Sequence, residues 1–256
     1  TIANNVANIN TIGYKSQQAS FKSLLYQNLQ STSTNNAGEN KPVAAEVGLG
    51  SRVAAITSTF TQGNLTHVEN PFSVALEGDG FFQIRTQSGE LQYTRDGSFE
   101  ISPVANGNML CTSDGNPVLD AYGNQIILPS NRVATDLVVN QDGTLAFPDG
   151  TGNPAVITDA NGRPVKFGIY QFNNPAGLSK EGSNNYSVTA ASGAAVAENG
   201  NAAVKQTKTH QYYTEASNVD VANEMVNLIV AQRAYEMNSK AIQASDEMMQ
   251  QANALR

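Results

Sequence analysis

Apolar residues along this chain change their period twice. At the start, Ile2, Val6 and Ile9 fall four and three residues apart, the spacing of one helix face. Phe21, Leu24, Leu25 and Leu29 repeat that spacing further on. Between them Asn10-Thr11-Ile12-Gly13 interrupts, because Gly13 takes a positive φ at no steric cost. Residues 1–30 are therefore predicted to be helical, with a second segment beginning near Ser20. A run as short as the first is marginal as an isolated helix, so it reads as the last turns of a longer one. Residues 31–41 (STSTNNAGENK) are polar and lack a period, which predicts a loop or extended arm.

From about residue 51 to residue 215 the period falls to two. Phe72–Leu76, Phe81–Ile84, Ser98–Ile101, Gln125–Leu128, Asp136–Val139 and Phe167–Phe172 are short and rich in aromatic or branched residues. Between them lie Asp79-Gly80, Asp96-Gly97, Asp114-Gly115, Asp142-Gly143 and Asp149-Gly150, with Asn106-Gly107, Asn161-Gly162 and Asn199-Gly200. Such dipeptides supply the positive φ angles of tight hairpins. Many short strands with frequent turns predict an all-β barrel or sandwich.

Residues 219–255 carry the strongest single pattern. Val221, Leu228, Tyr235, Ile242 and Met249 recur every seven residues, and Ala231, Asn238, Ser245 and Ala252 each follow a member by three. The seam alternates large apolar with small residues, which permits close approach of a partner helix. Ser217 or Asn218 is placed to cap the start, with Asp220 and Glu224 near the positive end of the helix dipole. A helix of roughly 55 Å is too long to bury against a β-domain of this size and requires another helix.

Composition narrows the function. Acidic residues number 22 against 15 basic, a net charge of −7, and charged residues make up only 14% of the chain. The absence of a basic run argues against nucleic acid, whose phosphates demand clustered cations. One cysteine, Cys111, excludes an internal disulfide, and two histidines leave little for a zinc site. No apolar run approaches the roughly 18 residues that span a bilayer. The 29 asparagines suit turns and helix ends.

A search for chemistry comes up empty. Gly78-Asp-Gly80-Phe-Phe and Gly48-Leu-Gly50 lead into strands rather than a helix, so they read as turns and not phosphate loops. Asp114, Asp120, Asp142, Asp149 and Asp159 lack calcium-loop spacing. His67 and His210 have no nucleophile neighbour, no Gly-x-Ser-x-Gly elbow is present, and Cys111 reads as a small core residue. The methionines of the last helix, Met225 among them, read as a packing surface toward other chains.

Three motifs carry a family resemblance. Ala3-Asn-Asn-Val-Ala-Asn-Ile-Asn-Thr-Ile-Gly-Tyr-Lys15 resembles the N-terminal signature of bacterial flagellar rod and hook proteins. Gly78-Asp-Gly-Phe-Phe-Gln83 and Tyr93-Thr-Arg-Asp-Gly-Ser-Phe99 are similar to the family's β-domain motifs. Glu215–Val221, Glu224-Met-Val and Ala231–Lys240 resemble its C-terminal helix. One β-domain, with a polar arm ahead of Gly48, is most similar to distal-rod subunits. Members carry roughly one more helical stretch before Ala3, and that stretch partners the C-terminal helix.

The resemblance implies a mainly β chain with terminal α-helices. Residues 1–30 and 216–256 would form a discontinuous helical, coiled-coil assembly domain, 31–60 an extended arm, and 61–215 an inserted all-β barrel or sandwich-like outer domain. The helices would line the inner tube of a helical assembly, the β-domain its outer wall, and the arm would bridge neighbours. Expected assembly residues are Asn4, Asn5, Asn8, Gly13, Tyr14, Val221, Met225, Leu228, Tyr235, Ile242 and Met249. Asn4, Asn5 and Asn8 suit a helix end, and Tyr14 suits anchoring the turn after it. Expected partners are copies of the chain, other rod and hook subunits and surrounding ring proteins, with no cofactor, small-molecule substrate, nucleic acid or membrane insertion. The expected place is the flagellar basal body, reached by type III export without a cleavable signal. A proximal rod or hook-type subunit is the nearest alternative; a secreted β-rich glycan- or cell-wall-binding protein and a hydrolase are alternatives of other classes.

Overall fold

The computed structural model describes residues 1–30, 45–105, 107–149, 154–159, 161–201 and 203–254. Two α-helices stand at the ends, α1 (Ile2–Ala7) and α2 (Val221–Ala254), and antiparallel strands fill the chain between them. The described strands form seven separate sheets and no closed barrel. The largest has six strands in the order Ser179–Gly182, Asn185–Ser187, Leu91–Thr94, Phe81–Arg85, Ile169–Gln171 and Val196–Ala197.

Strand period explains why this sheet is covered on both faces. Phe82 and Ile84 point into the larger core with Val74, Phe99, Leu145 and Phe167. Phe81, one residue out of phase, enters a second cluster with Tyr93, Phe172, Leu178 and Tyr186. Phe82 meets Phe99 and Phe167 edge-on at centroid distances of 5.0 and 5.3 Å. Cys111 is buried at the end of strand Gly107–Cys111, as the small core residue expected.

Five turns share one design. The N–H groups of Thr86, Thr112, Asp120, Asn140 and Asp159 each donate to the carbonyl four residues on. A glycine three residues on, with φ between 74° and 89°, returns its N–H to the first carbonyl. This is a type I turn closed by a left-handed residue, the commonest three-residue hairpin. Asp114-Gly115, Asp142-Gly143 and Asn161-Gly162 therefore act as expected, whereas Asn106-Gly107 and Asp149-Gly150 each include a residue outside those described. Asp79-Gly80 and Asp96-Gly97 do not act so, since neither glycine has positive φ. The strands on either side of Gly78–Gly80, Val74–Glu77 and Phe81–Arg85, belong to different sheets. Gly97 is required for close approach instead: a Cβ there would run into the Val74 carbonyl.

The helix predicted near Ser20 is replaced by strands. Gln17–Ser23 pairs with Ser51–Ser58, and Tyr26–Gln30 with Ala45–Gly48, making a two-stranded ribbon. The apparent helical spacing of Phe21, Leu24 and Leu25 arose in a short window, where helix and strand patterns overlap and a non-local partner decides. The Leu29 side chain and residues 31–44 of the predicted arm lie outside those described. One ribbon face carries Ala19, Phe21, Val53 and Ile56, the other Gln18, Ser20, Lys22, Arg52 and Thr57.

Helix α2 has 34 residues, about 51 Å at 1.5 Å per residue. Its cap is Asp220, whose Oδ1 accepts from the Ala222 and Asn223 amides at 2.9 and 3.4 Å. Ser217 bonds only the Val219 amide, and Asn218 is engaged elsewhere. No residue of α2 is buried.

Candidate functional site

The three motifs that lie far apart in sequence meet at one buried junction. Lys15 closes the first, Arg95 lies inside the second and Glu215 opens the third; all three side chains are at most 2% exposed. Lys15 Nζ donates to Glu215 Oε1 at 2.7 Å and to the Thr61 carbonyl at 2.8 Å. Arg95 donates through Nε to Glu215 Oε2 at 3.1 Å, through Nη2 to Glu215 Oε1 at 3.4 Å, and through Nη1 to the Gly78 and Gly80 carbonyls. The Gly63 amide completes the carboxylate at 2.9 Å. Two cations thus share one carboxylate, and three backbone carbonyls accept further protons from them. Burial holds the Lys15 pKa below its usual 10.5, outweighing the attraction of Glu215.

Two glycines let the backbones close on this point. Gly13, at φ 69°, packs on the Arg95–Asp96 backbone, where a Cβ would lie 2.9 Å from the Asp96 nitrogen. At Gly63 a Cβ would overlap the Ala216 carbonyl.

Amide side chains finish the joint on its outer side. Asn5 mimics a strand partner: its Oδ1 accepts from the Gln17 N–H and its Nδ2 donates to the Gln17 carbonyl, both at 2.9 Å. The same Nδ2 also reaches Glu224 Oε1 of α2 at 2.9 Å. Tyr14 donates to Asn4 Oδ1 at 2.6 Å and lies 3.2 Å from Asn5 Oδ1. Burial, aided by the Glu224 charge, raises the Tyr14 pKa above 10.0. Asn8 Nδ2 donates to the Asn4 carbonyl, and Asn8 Oδ1 accepts from Thr11. Asn218 accepts from the Ser16 amide at 2.7 Å and donates to the Thr59 carbonyl at 2.8 Å.

The expected assembly residues therefore divide. Asn4, Asn5, Asn8, Gly13 and Tyr14 hold α1, the ribbon and the foot of α2 together within one chain. Val221, Met225, Tyr235, Ile242 and Met249 stand exposed along α2, Tyr235 at 77%, while Leu228 is half-buried. Sequence reasoning missed Lys15, Arg95, Glu215, Gly63 and Asn218 as a unit. Their one signal was opposite charges fixed inside motifs of an otherwise charge-poor chain.

Several of the remaining candidates for chemistry make structural contacts. Asp120, Asp142 and Asp159 accept amides of their own turns at 2.8 to 3.1 Å. His67 and His210 both come edge-on to Tyr213, and His210 pairs with Glu77 at 2.7 Å. Among the described residues no group of three or more His, Cys, Asp or Glu is placed to hold a metal. No described helix is long and apolar enough to cross a membrane.

Comparison with known proteins joins both ends of this junction to one family. Residues 210–255 match the model described as the flagellar basal body rod FlgEFG protein C-terminal region. Residues 75–147 match the flagellar hook protein FlgE/F/G D1 domain. The flagellar basal-body rod protein FlgG of Borreliella burgdorferi is 40% identical over 262 residues, spanning 100% of this chain and 92% of the relative. The FlgG of Caulobacter vibrioides is 36% identical, with the same coverage of both chains. The flagellar hook-basal body complex protein FlhP of Bacillus subtilis is 33% identical, covering 100% of this chain and 93% of its own length. With motifs in the right order, meeting at one joint, and full-length relatives above 30% identity, the chain belongs to the FlgE/FlgF/FlgG family of flagellar rod and hook proteins.

Proposed function

We propose that this chain is a structural subunit of the flagellar rod, in its distal part, and that copies of it assemble into a tubular shaft passing torque from motor to hook. The observation that carries this reading is α2, a 34-residue helix rich in large apolar side chains, none of them buried within the chain. At about 100° per residue, the heptad series from Val221 to Met249 drifts only about 20° per repeat. Val226, Val230, Met237 and Met248 lie roughly opposite it. The small residues Ala231, Ala234, Asn238, Ala241, Ser245 and Ala252 join the two series. Arg233, Glu236, Lys240 and Glu247 share one charged sector, while Glu224 and Asp246 fall on the side of the heptad series. About 220° of the circumference is thus mostly apolar or small, interrupted by Glu224, Asp246 and a few amides, and about twice the roughly 100° stripe that one packing face needs. Such a helix requires at least two neighbours, as in a tube of parallel subunits.

In this reading residues 1–30 and 216–256 supply the axial parts, 61–215 the outer wall, and the arm around 31–60 the bridge between neighbours. The work is mechanical, and the partners are copies of the chain, adjoining rod and hook subunits and the rings around them, in the basal body. Similarity to FlhP, a hook-basal body complex protein, favours one second reading, a neighbouring axial position in the same shaft. The test is Leu228→Asp together with Ile242→Asp. Electron microscopy of the wild-type protein should show straight rods, and the double variant none, while circular dichroism keeps the β-domain spectrum. Rods of normal form from the double variant would overturn the proposal.

A further inference from the structure

Every member of the two hydrophobic clusters lies between residues 60 and 195, so neither core contains α1, α2 or the segments that lead into them. Phe60 reaches the second cluster from the ribbon's end, edge-on to Phe81 and Tyr186. The buried attachments of residues 13–17 and 215–218 are of another kind: a carboxylate, two cations and an amide. This difference has mechanical meaning. Apolar contact is non-directional and lets surfaces slide, whereas charge-assisted hydrogen bonds weaken steeply when bent.

We propose that Glu215 is the positioning residue of the axial joint: by holding Lys15 and the β-domain's Arg95 on one carboxylate, it fixes the angle at which α1 and α2 leave the β-domain. The proposal rests on the reading of the chain as a shaft subunit, in which that angle joins inner tube to outer wall. Both oxygens of Glu215 take part. Oε2 meets Arg95 Nε, the same guanidinium reaches Oε1 through Nη2 at 3.4 Å, and its Nη1 is clamped by the Gly78 and Gly80 carbonyls of the β-domain. Oε1 meets Lys15 of the N-terminal segment and the Gly63 amide, which leads out of the ribbon. Rotation of α2 about its six-residue lead from Glu215 is limited again by Asn218, which holds Ser16, Thr59 and Thr61. Glu224, one turn into α2, is tied to Asn5. The chain therefore has fixed points before and after the start of α2. Buried ion pairs in some proteins contribute conformational specificity more than stability, and this joint has the geometry for that role.

The experiment measures an angle distribution in the intact chain. Nitroxide labels at Asn173→Cys and Arg233→Cys, in a Cys111→Ser background, report β-domain to α2 distances by double electron–electron resonance. Lys15→Met is the decisive variant, because it leaves Arg95 and Glu215 as a charge-balanced pair and leaves the β-domain contacts in place. Glu215→Gln keeps the shape and removes the shared charge. Both are expected to broaden the distance distribution by about twofold or more with the near-UV spectrum of the β-domain unchanged. A merely stabilising Glu215 would lower the melting midpoint and leave the width of the folded population alone. A wild-type width in Lys15→Met overturns the proposal, as does a wild-type distribution already as broad as the variants'. Since the measurement uses the unassembled chain, it fails or succeeds independently of rod formation by wild-type protein.

Discussion

Replacing Asn5 by Ala should detach the N-terminal segment while leaving the β-domain intact. Asn5 is 1% exposed and every polar atom of its side chain is used. Three of its contacts are to neutral groups, the Gln17 N–H and carbonyl and the Tyr14 hydroxyl; the fourth is to the Glu224 carboxylate. At about 1 kcal/mol for each neutral bond and about 2 for the charged one, the ceiling is about 5 kcal/mol. Water reaches the half-buried Gln17 backbone and restores part of this, leaving about 2–4 kcal/mol. The loss is local, because no core residue touches Asn5 through these bonds. Native-state hydrogen exchange reads it directly, since the Gln17 amide is itself the donor to Asn5 Oδ1. Its exchange should accelerate by about 30-fold to a thousandfold. The Gln83 amide, bonded to the Gly168 carbonyl within the β-domain at 2.9 Å, should keep its wild-type rate. Asn5→Asp should not rescue, for it keeps the acceptors but sets a carboxylate against Glu224. Unchanged exchange at Gln17, or equal acceleration at Gln83, would refute the claim that Asn5 closes a separable joint.

Other consequences follow from the same geometry. Gly97→Ala drives a Cβ into the Val74 carbonyl and should cost about 3 kcal/mol or more, whereas Gly115→Ala, with open space but φ 78°, should cost about 1–2; urea midpoints compare the two. Phe82→Ala removes a fully buried ring between Phe99 and Phe167 and should lower stability by about 3–5 kcal/mol in the same assay. The hydrogen bond from His210 holds the Glu77 carboxyl below its ordinary 4.5, so His210→Ala should move its carbon-13 titration midpoint upward. With a folded value below the unfolded one, that pair stabilises above pH 4.5 and its contribution disappears as pH falls through the folded midpoint; an unmoved midpoint would discard the pairing. Amides of residues 221–254 in the dilute, unassembled chain should exchange far faster than those of the six-stranded sheet, because no residue of α2 is buried; strong protection along the whole helix would contradict this.

The joint also explains why the family's motifs contain the residues they do. Lys15, Arg95, Glu215 and Asn218 look unrelated along the chain, yet each supplies a bond to one of the others' segments. In Gly78-Asp-Gly80 the useful groups are backbone carbonyls aimed at Arg95, a role that no turn signal reveals.

Local chemistry determined much of this protein. The heptad of Val221 to Met249 marks a long helix, Asp114-Gly115, Asp142-Gly143 and Asn161-Gly162 mark hairpins, and the charge-poor composition with three ordered motifs marks the family. These features are short-range: a side chain's period or a glycine's φ belongs to its own few residues. Tertiary structure alone decided the rest. Residues 17–30 became ribbon strands because Ser51–Ser58 and Ala45–Gly48 supply a ladder that local helical spacing cannot foresee. Asn5 turned inward because Gln17 and Glu224 stand within hydrogen-bond reach, and Tyr14 because Asn4 and Asn5 do. Above all, Lys15, Arg95 and Glu215 acquire a shared role only when folding brings separations of 120 and 200 residues within about 3 Å in the absence of water. Burial makes such charges directional and interdependent, and burial is a property of the packed chain, not of any segment read by itself.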